Sequence, residues 1–316
     1  MTVEAARRRT LLLALYATLA MLCVSVPFSS QASDAESDAA SVSVLSYNVH
    51  GLFRWIAKDD PRDRMPTIGW LSDRYDVVLF QEDFEYHGEL AQQIQNATGV
   101  RGNGAWHDPR LVLAKLFAFP FTVLIPNFSP PYGAGISTFV DDTLVVADDF
   151  TREHYERCNG WFGANGDCWA AKGFLRVTLR TDAGAEVHVY NTHLEAGPSD
   201  ESVAVRRSQI EELAEAVERL SAGRAVVVAG DFNVAFIRPG DREMILWLRE
   251  QLGLADSGAG PELPFWRERN YMLYRSGKNT KLSVEKAGEA VEFVGRGRAL
   301  SDHPAIYVRF RVEPAP

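Results

Sequence analysis

Five short motifs of this sequence place a polar side chain directly after an apolar run. Carboxylate and amide oxygens bind hard divalent cations such as Mg²⁺, and imidazole changes its protonation near neutral pH. Such a set could hold a metal ion and move a proton, as metal-assisted hydrolysis requires. The motifs are L-S-Y-N-V-H-G with Asn48, D-V-V-L-F-Q-E with Glu82, Y-N-T-H-L-E with His193, G-D-F-N with Asp231 and Asn233, and S-D-H-P with Asp302 and His303.

Each motif taken alone has an ordinary structural explanation. A D-x-N segment is typical of a turn or a helix cap, and an N-x-H segment is typical of a turn. An acid after a strand is commonly solvated. The shared position after apolar strands favours one site instead, because residues at strand ends can converge on a single cleft.

The elements that would position these residues alternate between strands and amphipathic helices. A helix is predicted over 200–220, where Ile210, Leu213 and Val217 recur at helical spacing, and another over 242–251. Strands are predicted at 43–49, 76–80, 185–192, 225–229, 271–274 and 305–310. Strands and helices mixed along the whole chain predict one α/β domain.

The N-terminus differs in composition from the rest of the chain. Arg7–Arg9 precede an apolar run from Leu11 to Val26, and Ser30-Gln31-Ala32 offers small residues for cleavage. This pattern predicts a signal peptide over 1–32 and a secreted or periplasmic protein; an uncleaved membrane anchor is the alternative. The acidic, polar segment 33–41 is expected to be flexible.

The overall charge bears on the class of partner. The 316-residue chain has a formal net charge of −9, whereas proteins that grip nucleic acid commonly carry a basic face. Nucleic acid is therefore the less expected partner, although one local basic patch could suffice.

Two cysteines follow the predicted signal peptide. Cys158 and Cys168 form an even pair in a chain expected to be exported, which favours a disulfide over two free thiols. Gly160, Gly163 and Gly166 between them would let the short loop turn tightly.

Taken together, these motifs resemble the endonuclease/exonuclease/phosphatase superfamily, which includes deoxyribonuclease I-like nucleases, inositol-polyphosphate phosphatases and neutral sphingomyelinases. The G-D-F-N and S-D-H-P blocks carry the resemblance most specifically. It implies a domain over 42–311 with a four-layer α/β/β/α sandwich: two packed mixed sheets flanked by helices. It also implies a metal-dependent phosphodiesterase.

The resemblance assigns a metal-binding role to three residues. Glu82 would be the main ligand, Asn48 would offer a neutral oxygen beside it, and Asp302 would bind metal or set the environment of His303. Mg²⁺ is the expected cation, with Mn²⁺ or Ca²⁺ as alternatives. Because Mg²⁺ keeps several waters, one or two protein ligands suffice.

The remaining roles concern phosphate and protons. His303 would be the general base, because imidazole titrates near neutrality. His193 and Asn233 would donate to phosphate oxygens, and Asp231 would orient the water or hold a second metal. These assignments follow from the resemblance and are hypotheses about this chain.

One position departs from the family pattern. Asn270, in R-N-Y-M-L-Y, stands where the family usually has an aspartate that orients the catalytic histidine. An amide can accept a hydrogen bond but cannot stabilise an imidazolium by charge. Either Asp302 takes that role, or turnover is lower, or the two segments are not equivalent.

Several features favour the sphingomyelinase-like branch and a lipid headgroup as the substrate. Lys172, in A-K-G-F, matches a K-G-F block of bacterial sphingomyelinases, and the cysteine pair precedes it as in those enzymes; a solvated surface lysine is the alternative. Against this branch, 276–298 is polar and lacks the family's aromatic hairpin. A secreted nuclease and a catalytically weakened binding module are the other hypotheses.

The segment 106–132 could contact a membrane. Leu111–Pro126 is apolar except for Lys115, and aromatic residues flank it. A run of this length is commonly a buried core segment. The alternative is a peripheral contact with a lipid surface, where aromatic side chains suit the headgroup region.

Overall fold

The computed structural model describes residues 39–315 apart from 53, 103–132, 161–166, 261–262 and 265–267. The predicted signal peptide, positions 33–38 of the predicted flexible segment, and the candidate membrane segment 106–132 all lie outside the described residues. Ala40 and Ser41, predicted to be flexible, instead pair with Val312 and Arg311 in a sheet. The folded domain therefore extends slightly beyond the predicted bounds of 42–311.

Two six-stranded mixed sheets form the centre of the fold. The strands of the first sheet are β1 Ala40–Asn48, β2 Val77–Gln81, β3 Ala97–Arg101, β4 Ser137–Asp141, β13 Thr280–Glu289 and β16 Ile306–Pro314. Their order is β13-β16-β1-β2-β4-β3, and among these described strands only β1 and β2 are parallel. The strands of the second sheet are β5 Val145–His154, β6 Gly173–Arg180, β7 Glu186–His193, β8 Ala225–Ala235, β9 Ala255–Asp256 and β12 Glu268–Arg275. Their order is β5-β6-β7-β8-β12-β9, and of the strands described here only β7 and β8 are parallel.

Short elements complete the strand content. Two small hairpins are formed by β10 Ala259–Gly260 with β11 Leu263–Pro264, and by β14 Val294–Gly295 with β15 Arg298–Ala299. The polar segment 276–298 thus holds all of β13 and most of the second hairpin. A single 3₁₀ turn spans Asp167–Trp169.

The core between the sheets is aliphatic. Val44 and Leu79 of the first sheet pack with Val189 and Val227 of the second, all almost fully buried. Each such side chain contributes about 1.5–3 kcal/mol to folding. Leu79 and Val227 belong to the continuous apolar runs V-V-L-F and A-V-V-V-A, as expected for parallel strands covered on both faces.

Helices cover the outer faces of both sheets. On the first sheet, α2 Pro61–Ser72 and α3 His87–Ala91 pack against Leu45 and Phe80. On the second, α4 Asp200–Ser221 and α5 Pro239–Leu252 pack against Val226 and Val228. A short helix, α1 Arg54–Ala57, precedes α2. The predicted four-layer α/β/β/α sandwich is confirmed.

The sequence predicted α4 and α5 but not the helices that cover the first sheet. The prediction over 200–220 matches α4 closely, and α5 begins three residues before the predicted start. Sequence reasoning missed α2, because Pro66 lies inside a weakly amphipathic stretch, although Asp60 caps the helix and Pro61 begins its first turn. Among the described residues, no helix is long and apolar enough to span a membrane.

The predicted disulfide is confirmed. Cys158 and Cys168 are bonded, with their Cα atoms 5.2 Å apart. Replacing both cysteines by serine is expected to lower the unfolding free energy by about 2–3 kcal/mol, because the cross-link restricts the unfolded chain. Urea denaturation of the variant and the wild type measures this difference. Reduced wild type serves as the control and should behave like the variant; equal midpoints for oxidised and reduced wild type would contradict the prediction.

Candidate active site

The parallel strand pairs explain why distant residues meet at one edge. Asn48 ends β1, and Glu82 follows β2, which pairs in parallel with β1. His193 ends β7 and pairs with Asp231 of β8, also in parallel. The carboxyl ends of both pairs therefore lie on the same side of the sandwich. A buried hydrogen bond from Gln81 Nε2 to Asn191 Oδ1, 2.8 Å long, ties the two sheets together beside these ends.

Asn48 joins the two carboxylates of the site. Its amide nitrogen donates to Glu82 Oε1 and to Asp231 Oδ2, both at 2.9 Å. Its amide oxygen accepts from the backbone N–H of His50 at 3.0 Å. The amide oxygen that was expected to bind metal therefore accepts one backbone hydrogen bond and keeps a second lone pair, so the metal-binding role of Asn48 stays a prediction.

Two imidazole rings lie close to the same oxygen of Asp231. The distances from Asp231 Oδ2 are 3.8 Å to His193 Nε2 and 3.7 Å to His303 Nε2. Burial and the nearby Lys172 ammonium lower the pKa of His193 to about 4. His193 is therefore neutral at pH 7, with one ring N–H available for donation.

The structure places the Asn270 side chain against the His303 ring. Asn270 pairs with Asp231 across the sheet, and its Nδ2 lies 3.3 Å from His303 Nδ1. Its Oδ1 is buried without a hydrogen-bond partner. Rotating the amide by half a turn would let this oxygen accept a hydrogen bond from the Nδ1–H of His303.

Asp302 faces a different histidine from the one expected. Its Oδ1 lies 3.5 Å from Nδ1 of His50 and accepts from Ser301 Oγ at 3.2 Å. Its side chain is 57% exposed. Asn270, rather than Asp302, is thus the residue whose side chain contacts His303 Nδ1.

His50 is a site residue that the sequence reasoning missed. Its Nδ1 lies 3.3 Å from Glu82 Oε2, and this carboxylate raises the pKa of the His50 ring. The backbone around it is fixed by Arg64, which donates to the His50 carbonyl at 2.7 Å and to the Leu300 carbonyl at 3.0 Å. The N-V-H-G motif contained the signal, since His50 sits two residues after Asn48.

The carboxylates fit a divalent cation. Ligand atoms of Glu82, His193 and Asp231 all lie within 4.8 Å of one another. Glu82 Oε2 is buried and has no hydrogen-bond partner of normal geometry, although such atoms are normally satisfied. Burial alone would raise the pKa of Glu82, but the neighbouring His50, His193 and Asn48 lower it to about 2. Glu82 is therefore ionised at neutral pH and offers a free oxygen to a hard cation.

Gly230 and Asn233 of the G-D-F-N motif shape the backbone around Asp231. Gly230 has a φ of +144°, and a Cβ there would lie 1.9 Å from the Thr192 carbonyl oxygen. Only glycine therefore lets β8 approach β7 beside Asp231. Asn233, with a φ of +51°, donates its side-chain nitrogen to the Leu194 carbonyl at 2.9 Å. Its own N–H bonds Asp231 Oδ1 at 2.9 Å.

Lys172 lies behind the site, in a buried ionic cluster. Its ammonium donates to the Leu194 carbonyl at 2.7 Å and lies 3.2 Å from Asp167 Oδ2. Glu195 is also buried, and burial together with Asp167 raises its pKa to about 8. Lys172 is thus neither a surface lysine nor bonded to Asp231; it holds the loop that follows His193. No motif indicated Asp167, whereas Glu195 lies in the Y-N-T-H-L-E motif.

Comparison with known proteins identifies the family to which this chain is similar. Residues 45–280 match the Endonuclease/Exonuclease/phosphatase family. The sphingomyelinase of Mycobacterium tuberculosis is 28% identical over 287 residues, covering 85% of this chain and 52% of the relative. The inositol phosphosphingolipids phospholipase C of Schizosaccharomyces pombe is 27% identical over 205 residues, covering 62% of this chain and 42% of the relative. The chain spans about half the length of the curated relatives it matches.

The fold has solved counterparts. A beta toxin mutant from Staphylococcus aureus, crystallised with bound magnesium ions, superposes with a TM-score of 0.56 at 16% identity. The superposition covers 85% of this chain and 99% of that chain. At this identity the likeness concerns the fold alone. The matched residues include Asn48, Glu82, His193, Asp231 and Asn270 of the site; the chain belongs to the Endonuclease/Exonuclease/phosphatase family.

Proposed function

We propose that this protein is a Mg²⁺-dependent phosphodiesterase that cleaves the headgroup phosphodiester of a phosphosphingolipid, in the manner of a phospholipase C. The observation that carries the proposal is the grouping around Asp231. Its carboxylate is joined to Glu82 through Asn48 and lies within 4 Å of two imidazole rings. This set combines a cation-binding carboxylate, a neutral N–H donor and a candidate base in one cleft.

Glu82 would be the main holder of the cation, with Asp231 beside it. The bound cation would neutralise phosphate charge and stabilise the leaving oxygen. Asn48 would keep the two carboxylates at a fixed separation by donating to both, and His50 would orient Glu82. Asp302, exposed and close to His50, could still complete the shell of the cation. Magnesium in the related beta toxin structure supports this choice of metal.

His303 would accept the proton of the attacking water. For this its Nε2 must carry a lone pair, so the proton must sit on Nδ1. The oxygen of the Asn270 amide can accept that Nδ1–H and hold the ring in this tautomer. His193, neutral and buried, would donate its N–H to a non-bridging phosphate oxygen. Asn233, now bonded to the Leu194 carbonyl, would turn towards phosphate when substrate binds.

The substrate class is supported by the relatives and by charge. The mycobacterial relative is named a sphingomyelinase, and the fission yeast relative is named for inositol phosphosphingolipids. The net charge of −9 opposes a general affinity for nucleic acid. The fold itself does not decide between lipid and nucleic acid, because function resides in the site. We also propose that the predicted signal peptide directs export and that segment 106–132 contacts the membrane.

An assay of the purified protein against three substrates tests the proposal. Mg²⁺-dependent hydrolysis should be fastest with phosphosphingolipid in mixed micelles, slower with bis(p-nitrophenyl) phosphate, and slowest with duplex DNA. EDTA should abolish the activity, and Mn²⁺ or Ca²⁺ in place of Mg²⁺ ranks the metals. Faster cleavage of DNA would replace the proposal with a nuclease. Lipid binding without hydrolysis of any substrate would replace it with a binding module.

A further inference from the structure

A cavity of about 310 Å³ opens beside the proposed catalytic cleft. It is lined by residues 196–198, Asn233, Ala235, Arg238 and Arg269. Asn233 lines the cavity and also contacts the catalytic cleft, since its backbone N–H donates to Asp231 Oδ1 at 2.9 Å. A group attached to a phosphate near Asp231 could therefore extend into this cavity.

The two guanidinium groups leave the cavity with excess positive charge. Arg238 lies 3.7 Å from Asp241 Oδ2, and its side chain is 54% exposed. Asp241 is also the partner of the fully buried Arg206, at 3.4 Å, and accepts from the backbone N–H of Ala235 at 3.0 Å. Its charge is therefore shared between two arginines. Within the described part of the chain, Arg269 has no ionic or hydrogen-bond partner, and its side chain is exposed.

An irregularity in the second sheet brings Asn233 and Arg269 to the cavity. Along β12 and β8, Asn270 pairs with Asp231, but Glu268 pairs with Ala235, so three residues of β8 oppose Arg269 alone. Both Asn233 and Arg269 have left-handed backbones, with φ of +51° and +79°. Such conformations are unfavourable for arginine, and they concentrate at functional sites. This backbone directs Arg269, for which the described residues supply no ionic or hydrogen-bond partner, at the cavity next to the cleft.

From this geometry we infer that the cavity is a headgroup subsite for an anionic group, so that the enzyme prefers phosphodiesters whose headgroup carries a second phosphate or a carboxylate. The inference rests on the proposed function and specifies its substrate class. Arginine binds phosphate and carboxylate through paired N–H donors. A quaternary ammonium headgroup would instead meet two like charges, which cost binding free energy.

Calorimetry with soluble headgroup analogues in Mg²⁺ tests the subsite without any turnover. The three probes are myo-inositol 1,4-bisphosphate, myo-inositol 1-phosphate and phosphocholine. The wild type should bind the bisphosphate about tenfold more tightly than the monophosphate, the scale of one charge-assisted hydrogen bond, and phosphocholine most weakly. In Arg269→Gln and in Arg238→Gln, the ratio of bisphosphate to monophosphate affinity should fall towards one. Arg309→Gln, which also removes an exposed strand arginine, is the matched control and should keep the wild-type ratio.

Equal affinity of the wild type for bisphosphate and monophosphate would overturn the subsite. So would an Arg269→Gln variant that loses affinity for all three probes equally, because that result would mean a general charge effect. The two hypotheses fail separately. If the ranking holds but no lipid is hydrolysed, the proposed function is wrong and the subsite stands. If lipids are hydrolysed but the ranking is absent, the subsite is wrong and the proposed function stands.

Discussion

Replacing Glu82 by glutamine is expected to lower the metal-dependent turnover by roughly 10³-fold or more while leaving the fold intact. The charge on this buried carboxylate is what would hold the cation, and losing several kcal/mol of charge stabilisation in the transition state has an effect of this size. Glutamine keeps the volume and the left-handed backbone of Glu82, and its oxygen can still accept from Asn48. Steady-state kinetics against Mg²⁺ concentration and calorimetric Mg²⁺ binding measure the two consequences.

A matched control separates the site from general charge effects. Glu89 lies on α3, half-exposed and 3.7 Å from Arg62, so Glu89→Gln removes one negative charge away from the cleft. It should retain wild-type turnover and wild-type Mg²⁺ affinity. If Glu82→Gln also keeps wild-type turnover with the same Mg²⁺ dependence, Glu82 is not a metal ligand of the reaction.

Replacing His303 by alanine is expected to lower kcat by about 10²–10⁴-fold, the usual contribution of a general base, with a smaller change in KM. His303→Gln is the companion variant, because glutamine fills the space but cannot accept the proton of the water. Both should lose turnover. Near wild-type kcat in either variant would remove His303 from the proton transfer.

The pH–rate profile distinguishes the two histidines. An acidic limb that belonged to His193 would lie near pH 4, because burial and Lys172 lower its pKa to about 4. An acidic limb that persists in His193→Ala and disappears in His303→Ala would assign the base to His303. The opposite pattern would mean that the two roles are reversed.

The Asn270→Asp variant tests whether residue 270 positions and tunes the His303 ring. A carboxylate next to His303 Nδ1 favours the protonated ring, so the acidic limb should move to higher pH. The contact of Asn270 Nδ2 with His303 Nδ1, at 3.3 Å, makes this shift a direct expectation. An unchanged limb would mean that the residue at position 270 does not tune the reacting imidazole.

The sequence by itself determined the layers of the fold and the set of side chains at one edge. Continuous apolar runs such as 225–229 predict strands buried on both faces, and the pattern of 200–220 predicts a helix with one apolar side. Asn48, Glu82, His193 and Asp231 each follow such a strand. Because the carboxyl ends of parallel strands share an edge, their meeting was predictable before any coordinates.

Only the tertiary structure decided how those side chains face one another. Whether the Asn48 amide offers its oxygen to a metal or its nitrogen to two carboxylates depends on Asp231, which is 183 residues away in sequence. In the same way, Asp302 turned towards His50, and Asn270 took the place against His303. Residue type is a local property, but the direction of a hydrogen bond is set by partners brought together by the packing of two sheets.

The cavity with Arg238 and Arg269 shows most clearly what could not be predicted from the sequence. Neither arginine lies in a recognisable motif, and nothing in the sequence indicates that three residues of β8 oppose one of β12. The register of β12 on β8 depends on strands that are distant in sequence. The position of Arg269 beside the cleft, without an ionic or hydrogen-bond partner among the described residues, therefore became visible only in the folded chain.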